Sequence, residues 1–109
     1  MALDIRSLQQ AAIKDENTGF KIYFFTTSDT YSIIYFINNV NSTHKTVKLP
    51  SSVQLYTTNF NGHTLEFAAN GSPLHGVGGT VSLKDRKTGK FLYVIVDSIG
   101  RVRVSETPP

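Results

Sequence analysis

The sequence predicts an α+β domain, with a short N-terminal helix packed on antiparallel β-sheets in a sandwich-like arrangement that ends in a β-meander. Three observations predict it. Residues 2–14, ALDIRSLQQAAIK, carry apolar side chains at helical spacing. After Gly19 the pattern switches to short runs rich in aromatic and β-branched residues. From Thr80 to Ser105, three such runs are joined by two short turns.

In the helix, Ile5, Leu8 and Ala12 share a face, with Ala11 beside them, while Arg6, Gln9, Gln10 and Lys14 face elsewhere. Asp15-Glu16-Asn17-Thr18-Gly19 stops it. It is too short to hold alone and its N-terminal cap is poor, so it must pack on the sheets. Such an end fits a helix cut from a longer one.

The β region spans 20–105. Phe20–Thr26 and Tyr31–Ile37 are strands joined by the polar turn Thr27-Ser28-Asp29-Thr30. The second is apolar on both faces, as a strand inside a sheet would be. Asn38–Thr43, NNVNST, reads as a polar loop. Thr46–Leu49 and Val53–Tyr56 are short strands broken at Pro50, which places at least one at a sheet edge. Asn61-Gly62 turns the chain into a strand over Thr64–Phe67, and a glycine-rich loop from Asn70 to Gly79 follows. The meander comprises Thr80–Lys84, Phe91–Val96 and Arg101–Ser105. Val81, Leu83, Val102 and Val104 point inward, and Arg101 and Arg103 outward. Phe91 and Tyr93 read as core, leaving no stacking platform beside the arginines.

The chain's 109 residues suffice for one domain with one core. The absence of Cys excludes disulfides, thiolate metal sites and cysteine nucleophiles. The longest apolar run, Phe91–Val96, is far short of a membrane span, and MALDIRSLQQ lacks the basic and apolar regions of a signal peptide. His44, His63 and His75 sit in separate loops without ligand spacing. No acidic pair suggests an acid and base, and no Gly-x-Ser-x-Gly elbow is present. The loop at Gly71–Gly79 lacks the Gly-Lys-Ser/Thr and helix of a phosphate loop. The reading is therefore non-enzymatic, with no catalytic residue, metal or cofactor.

Charge is the informative feature. The net charge is +3. Residues 84–103 hold six basic residues, Lys84, Arg86, Lys87, Lys90, Arg101 and Arg103, against Asp85 and Asp97, whereas the rest of the chain holds five basic and six acidic residues. All of the excess positive charge lies in this segment. It serves either as a solvated face that keeps the protein soluble or as a surface for an anionic partner. Arg101 and Arg103 sit about 7 Å apart along one strand face, and Arg86 and Lys87 at the far turn, a stripe suited to a phosphate backbone without sequence specificity.

The chain resembles the GspH/FimT minor pilins and pseudopilins. The resemblance rests on Leu65-Glu66-Phe67 with Asn70-Gly71-Ser72, on Gly79-Thr80-Val81-Ser82-Leu83, on VIVDSIGRVRV from Val94 to Val104, and on Ser7–Ile13 as the helix just past a membrane. It implies a pilin-like fold over residues 1–109, with 1–16 the remnant of an N-terminal helix whose apolar anchor precedes Met1-Ala2. It also implies an extracytoplasmic, membrane-anchored or filament-borne structural subunit of a type IV pilus, competence pilus or type II secretion pseudopilus. Its partners would be other pilin or pseudopilin subunits, and membrane contact would be only through the missing helix. Some FimT members bind DNA through a C-terminal Gly-Arg-x-Arg motif, which here reads Gly100-Arg101-Val102-Arg103. The alternatives are thus a DNA-binding pilus-tip subunit using the basic stripe and, from another class, a carbohydrate- or surface-binding β module.

Overall fold

The computed structural model of the chain describes residues 1, 4–7, 9–10, 19–37, 40–68 and 70–109. Residues 4–7 and 9–10 are helical and form α1, with the Ile5 amide donating to the Met1 carbonyl at 3.0 Å. The rest of the expected helix, including Leu8, Ala11 and Ala12, and its stop at 15–18 lie outside the described residues.

Among the described residues, eight strands form two four-stranded antiparallel sheets. The first holds β1 (Gly19–Phe25), β2 (Thr30–Ile37), β3 (Val40–Lys48) and β5 (Thr64–Glu66) in the order β3-β2-β1-β5. The second holds β4 (Val53–Thr58), β6 (Gly79–Asp85), β7 (Phe91–Val96) and β8 (Val102–Ser105) in the order β4-β6-β7-β8. The expected meander is β6-β7-β8. Both β3 and β4, on either side of Pro50, are edge strands.

Cross-strand register explains the core, because directly opposed residues share a face. Ile22 lies opposite both Ile33 and Leu65, and Phe24 opposite Tyr31. In the second sheet Leu55 opposes Leu83, Val81 opposes Val94, and Val96 opposes Val102. Apart from the half-buried Leu83, these residues are buried, and with Ile5 and Phe60 they make one hydrophobic cluster between the sheets. Ile5 is fully buried, which contributes about 2 kcal/mol to seating a helix too short to stand alone.

Three expectations need correction and one needs qualifying. Residues 40–43 are not a loop but the first half of β3, paired with β2 around a bulge at Ile33/Ile34. Their polarity reflects an edge strand, where polar and charged side chains such as Lys45 block edge-to-edge association. His44 is therefore in a strand. Val104 shares the core-facing side with Val102, as expected, but it is 50% exposed and stands outside the buried cluster. It opposes Val94 but sits on an edge strand, where it is only half covered. Finally, Phe91 and Tyr93 are half-buried on the face of the second sheet that is turned away from the core.

Candidate interaction surface

The two ends of the second sheet place the six basic residues. At one end, Asp97 closes the β7–β8 turn: its carboxylate accepts from the amides of Ile99 and Arg101 at 3.1 and 2.9 Å, and its carbonyl from Gly100 at 3.0 Å. Gly100 has φ 93°, and a Cβ there would lie 2.2 Å from the Gly71 carbonyl oxygen and 2.6 Å from Gln9 Nε2. The glycine before the arginines is thus required by the fold. Gln9 donates to the carbonyls of Gly71 and Gly100 at 2.6 and 2.7 Å, and Arg6 donates to the Val102 carbonyl at 3.0 Å. These bonds tie α1 to β8 and hold the strand that carries Arg103. Arg101 immediately precedes β8, and Arg103 lies opposite Ile95. Both arginines are exposed, and neither side chain is bonded to a described residue.

At the other end, Asp85 organises the β6–β7 turn. Its carboxylate accepts from the amides of Lys87 and Thr88 at 2.8 and 3.4 Å, and the Lys87 amide above all holds it below the usual carboxylate range. Gly89 completes the turn at φ 72°. The Lys87 and Lys90 side chains project into solvent.

Arg86 projects elsewhere. Its guanidinium donates to the carbonyls of Ser51 and Val53 at 3.0 and 2.8 Å and to the Asp29 carboxylate at 2.6 Å. Asp29 sits at φ 54° in the β1–β2 turn, and it also accepts from the Leu55 amide at 2.9 Å. Arg86 first, and then that amide, hold the Asp29 carboxyl low. One guanidinium thereby joins the β1–β2 turn, the β3–β4 connection and the β6–β7 turn.

Lys84 lies over two rings on the outward face, 5.7 Å from the Tyr56 centroid and 5.6 Å from that of Phe91. Tyr56 meets Phe91 edge-on at 5.1 Å, and Phe91 stacks with Tyr93 at 6.1 Å. Tyr56 was missed as a surface residue. The alternation of VQLYTT, with Leu55 inward, places Tyr56 outward, and a bulge between Leu55 and Thr57 adds to this.

The six residues therefore do not form one continuous stripe. Arg101 and Arg103 occupy one end of the sheet, and Lys87 and Lys90 the other, with Phe91 and Ile95 separating them by about 13 Å of strand. Beside the second group is a hollow of about 720 Å³ lined by Val53, Leu83, Lys84, Lys90, Leu92 and Glu106, among others. A second cleft, about 440 Å³, runs beside β5 between Asn59, Glu66, Leu74 and Val77. Among the described residues no group of His, Asp and Glu converges as a metal site. His63 Nδ1 is 2.6 Å from the Thr58 hydroxyl, a contact within its own turn.

The fold recurs in solved structures. The minor pseudopilin EpsH of the Vibrio cholerae type II secretion system superposes with TM-score 0.78 at 12% identity, over 95% of this chain and 89% of that one. The chain has the fold of a minor pseudopilin. The type IV minor pilin FimU of Pseudomonas aeruginosa PAO1 matches in two crystal forms, with TM-scores of 0.70 and 0.69 at 12% and 13% identity. In both, 95% of this chain is covered, against 81% and 86% of FimU. No protein-family model and no curated protein sequence matches the chain. In this chain Arg6 ties α1 to β8, and the Gly100 turn is where α1, the glycine-rich loop and the meander meet.

Proposed function

We propose that this chain is a non-enzymatic subunit of a type IV pilus, competence pilus or type II secretion pseudopilus, of the GspH/FimT kind, that takes part in assembling or capping the filament with other pilin or pseudopilin subunits. The observation that carries this reading is the match to EpsH across 95% of the chain. The pinning of α1 across the second sheet by Arg6 and Gln9 agrees with it, since a helix so held can pass packing forces from filament to β domain. The gene tests it directly. An apolar segment of about 20 residues is expected immediately upstream of residue 1, following a prepilin processing site. A full-length gene without one overturns the proposal.

A second reading is favoured by one observation: Arg101 and Arg103 are exposed, adjacent and unpaired among the described residues. The same subunit then binds DNA without sequence preference at the filament tip. Log affinity should fall linearly with log salt, and each arginine removed should lower the slope by about one unit. An unchanged gel shift for Arg101→Ala with Arg103→Ala sinks this reading.

A further inference from the structure

We propose that the end of the domain carrying Lys48, Lys87 and Lys90 rests on an anionic phospholipid surface, with the neighbouring hollow accepting part of a lipid. The inference builds on the filament-subunit reading above.

The direction of α1 is the first argument. Asp4 Oδ1 meets Lys45 Nζ at 3.0 Å and its other oxygen accepts from the Tyr31 hydroxyl, while Gln9 reaches the Gly71 and Gly100 carbonyls. The helix therefore runs from the Tyr31 end of the domain to the Gly100 end. Met1 lies at the Tyr31 end, one turn before Ile5. Any chain preceding Met1 leaves the domain there.

Three turns meet at that end. The Leu49 amide donates to the Asp29 carbonyl at 3.0 Å, and the Arg86 amide to the Ser52 carbonyl at 2.9 Å. Lys48 Nζ reaches the Ser28 carbonyl at 3.5 Å. The acids and bases nearby do not cancel. Asp4 is taken by Lys45 and Asp29 by Arg86. Asp85 accepts from its own turn's amides and lines the hollow with Glu106, so two carboxylates stand among Lys48, Lys84, Lys87 and Lys90. Among the described residues none of these four lysines makes a direct salt bridge; Lys48 acts on Asp29 and Lys87 on Asp85 only at longer range, and cations still outnumber carboxylates at this end.

The hollow supplies the second argument. Its lining joins the apolar Val53, Leu83 and Leu92 to Lys84 and Lys90, with Asp85 and Glu106 also among the lining residues. Leu92 is 39% exposed although it is on the core-facing side of β7. An apolar floor beside ammonium groups matches a lipid, whose phosphate takes the lysines and whose glycerol and first methylenes take the leucines. A soluble phosphate would leave those leucines in water. A lipid surface is also where an upstream apolar anchor would bring this end.

Co-sedimentation of the 109-residue chain with vesicles tests the proposal. Binding is expected to phosphatidylglycerol-containing vesicles and not to pure phosphatidylcholine, and is expected to weaken with salt. Each lysine neutralised should lower partitioning about fivefold, so Lys87→Gln with Lys90→Gln should lose about 25-fold. Leu92→Ser should weaken binding with the charge unchanged. Arg101→Gln, which removes a charge at the far end, should leave it as it was. Equal partitioning to both vesicle types, no binding to either, or equal loss from Arg101→Gln overturns the proposal. So does a lysine pair that is needed for recovery with another filament subunit but not for vesicle binding. An upstream gene segment without an apolar helix sinks the filament reading instead, whatever the vesicles show.

Discussion

Replacing Arg86 by alanine removes three hydrogen bonds at once: two to the carbonyls of Ser51 and Val53 and one to the Asp29 carboxylate. A bond from a charged donor contributes about 1.5–3 kcal/mol when shielded from water, and an exposed ion pair about 0.2–1 kcal/mol. The Arg86 side chain is 42% exposed, so solvent screens much of this. Taking about 0.7 kcal/mol for each carbonyl bond and about 0.5 for the ion pair gives a loss of about 2 kcal/mol. For a domain of this size that lowers the melting temperature by about 10 °C.

The lysine variant separates geometry from charge. Arg86→Lys keeps the cation but loses the planar fork that reaches two carbonyls and a carboxylate together. It should lie within about 0.5 kcal/mol of the alanine variant in thermal or urea unfolding. Added salt should recover little of the difference, since only the ion pair is screened. If Arg86→Ala melts within about 2 °C of the parent chain, or Arg86→Lys restores it fully, the guanidinium is not the clasp described above.

Two further outcomes follow from turns and titrations. Gly100→Ala should cost at least about 2 kcal/mol in urea unfolding, from a left-handed backbone and a Cβ driven into the Gly71 carbonyl; Gly89→Ala, with no atom within 4 Å of its Cβ, should cost only about 1 kcal/mol. The Asp29 carboxyl is held low in the folded chain, so its stabilising effect should be present above the unfolded value of about 3.9 and be lost as pH falls below it; Asp29→Asn should flatten that acid limb in a melting-temperature profile. Tyr31 shifts the other way: burial, then the Asp4 carboxylate, push its hydroxyl above the ordinary range. Its contribution should be intact below about pH 10 and decline above it, and Tyr31→Phe should remove that alkaline loss.

What could be read from the sequence depended on how local the cause was. The meander was legible because alternation and two short turns specify β6, β7 and β8 within about 25 consecutive residues. The second half of β3 was legible too, but its first half was not, because an edge strand carries polar residues in order to stay soluble, and polarity without alternation looks like a loop. Gly100 was legible as a turn residue. Its close approach to Gly71 was not, since only the folded chain brings those residues and Gln9 together. The role of Arg86 was hidden for the same reason, as its carboxylate partner is 57 positions away. Tyr56 could have been found from the alternation around Leu55, and the basic residues were placed at the two ends of the meander, but as one stripe in which Arg86 counted as a free cation.

That last difference changes how the basic segment should be tested. In the sequence, the six cations of residues 84–103 look like one surface, and a salt titration of the whole chain would treat them so. In the fold, Arg86 is spent on three turns, Lys84 lies on Tyr56 and Phe91, and Lys87 and Lys90 stand near the start of α1. Arg101 and Arg103 lie at the opposite end of the second sheet, beside the Gly100 turn. A polyanion binding anywhere would show the same salt dependence, because counterion release counts charges and not positions. Only residue-specific variants separate the possibilities. Lys87 with Lys90 and Arg101 with Arg103 are the informative pairs, because neither closes a hydrogen bond that the fold needs. Loss of binding in either pair can then be read as loss of a contact, whereas the same loss on changing Arg86 would first have to be separated from the fall in stability.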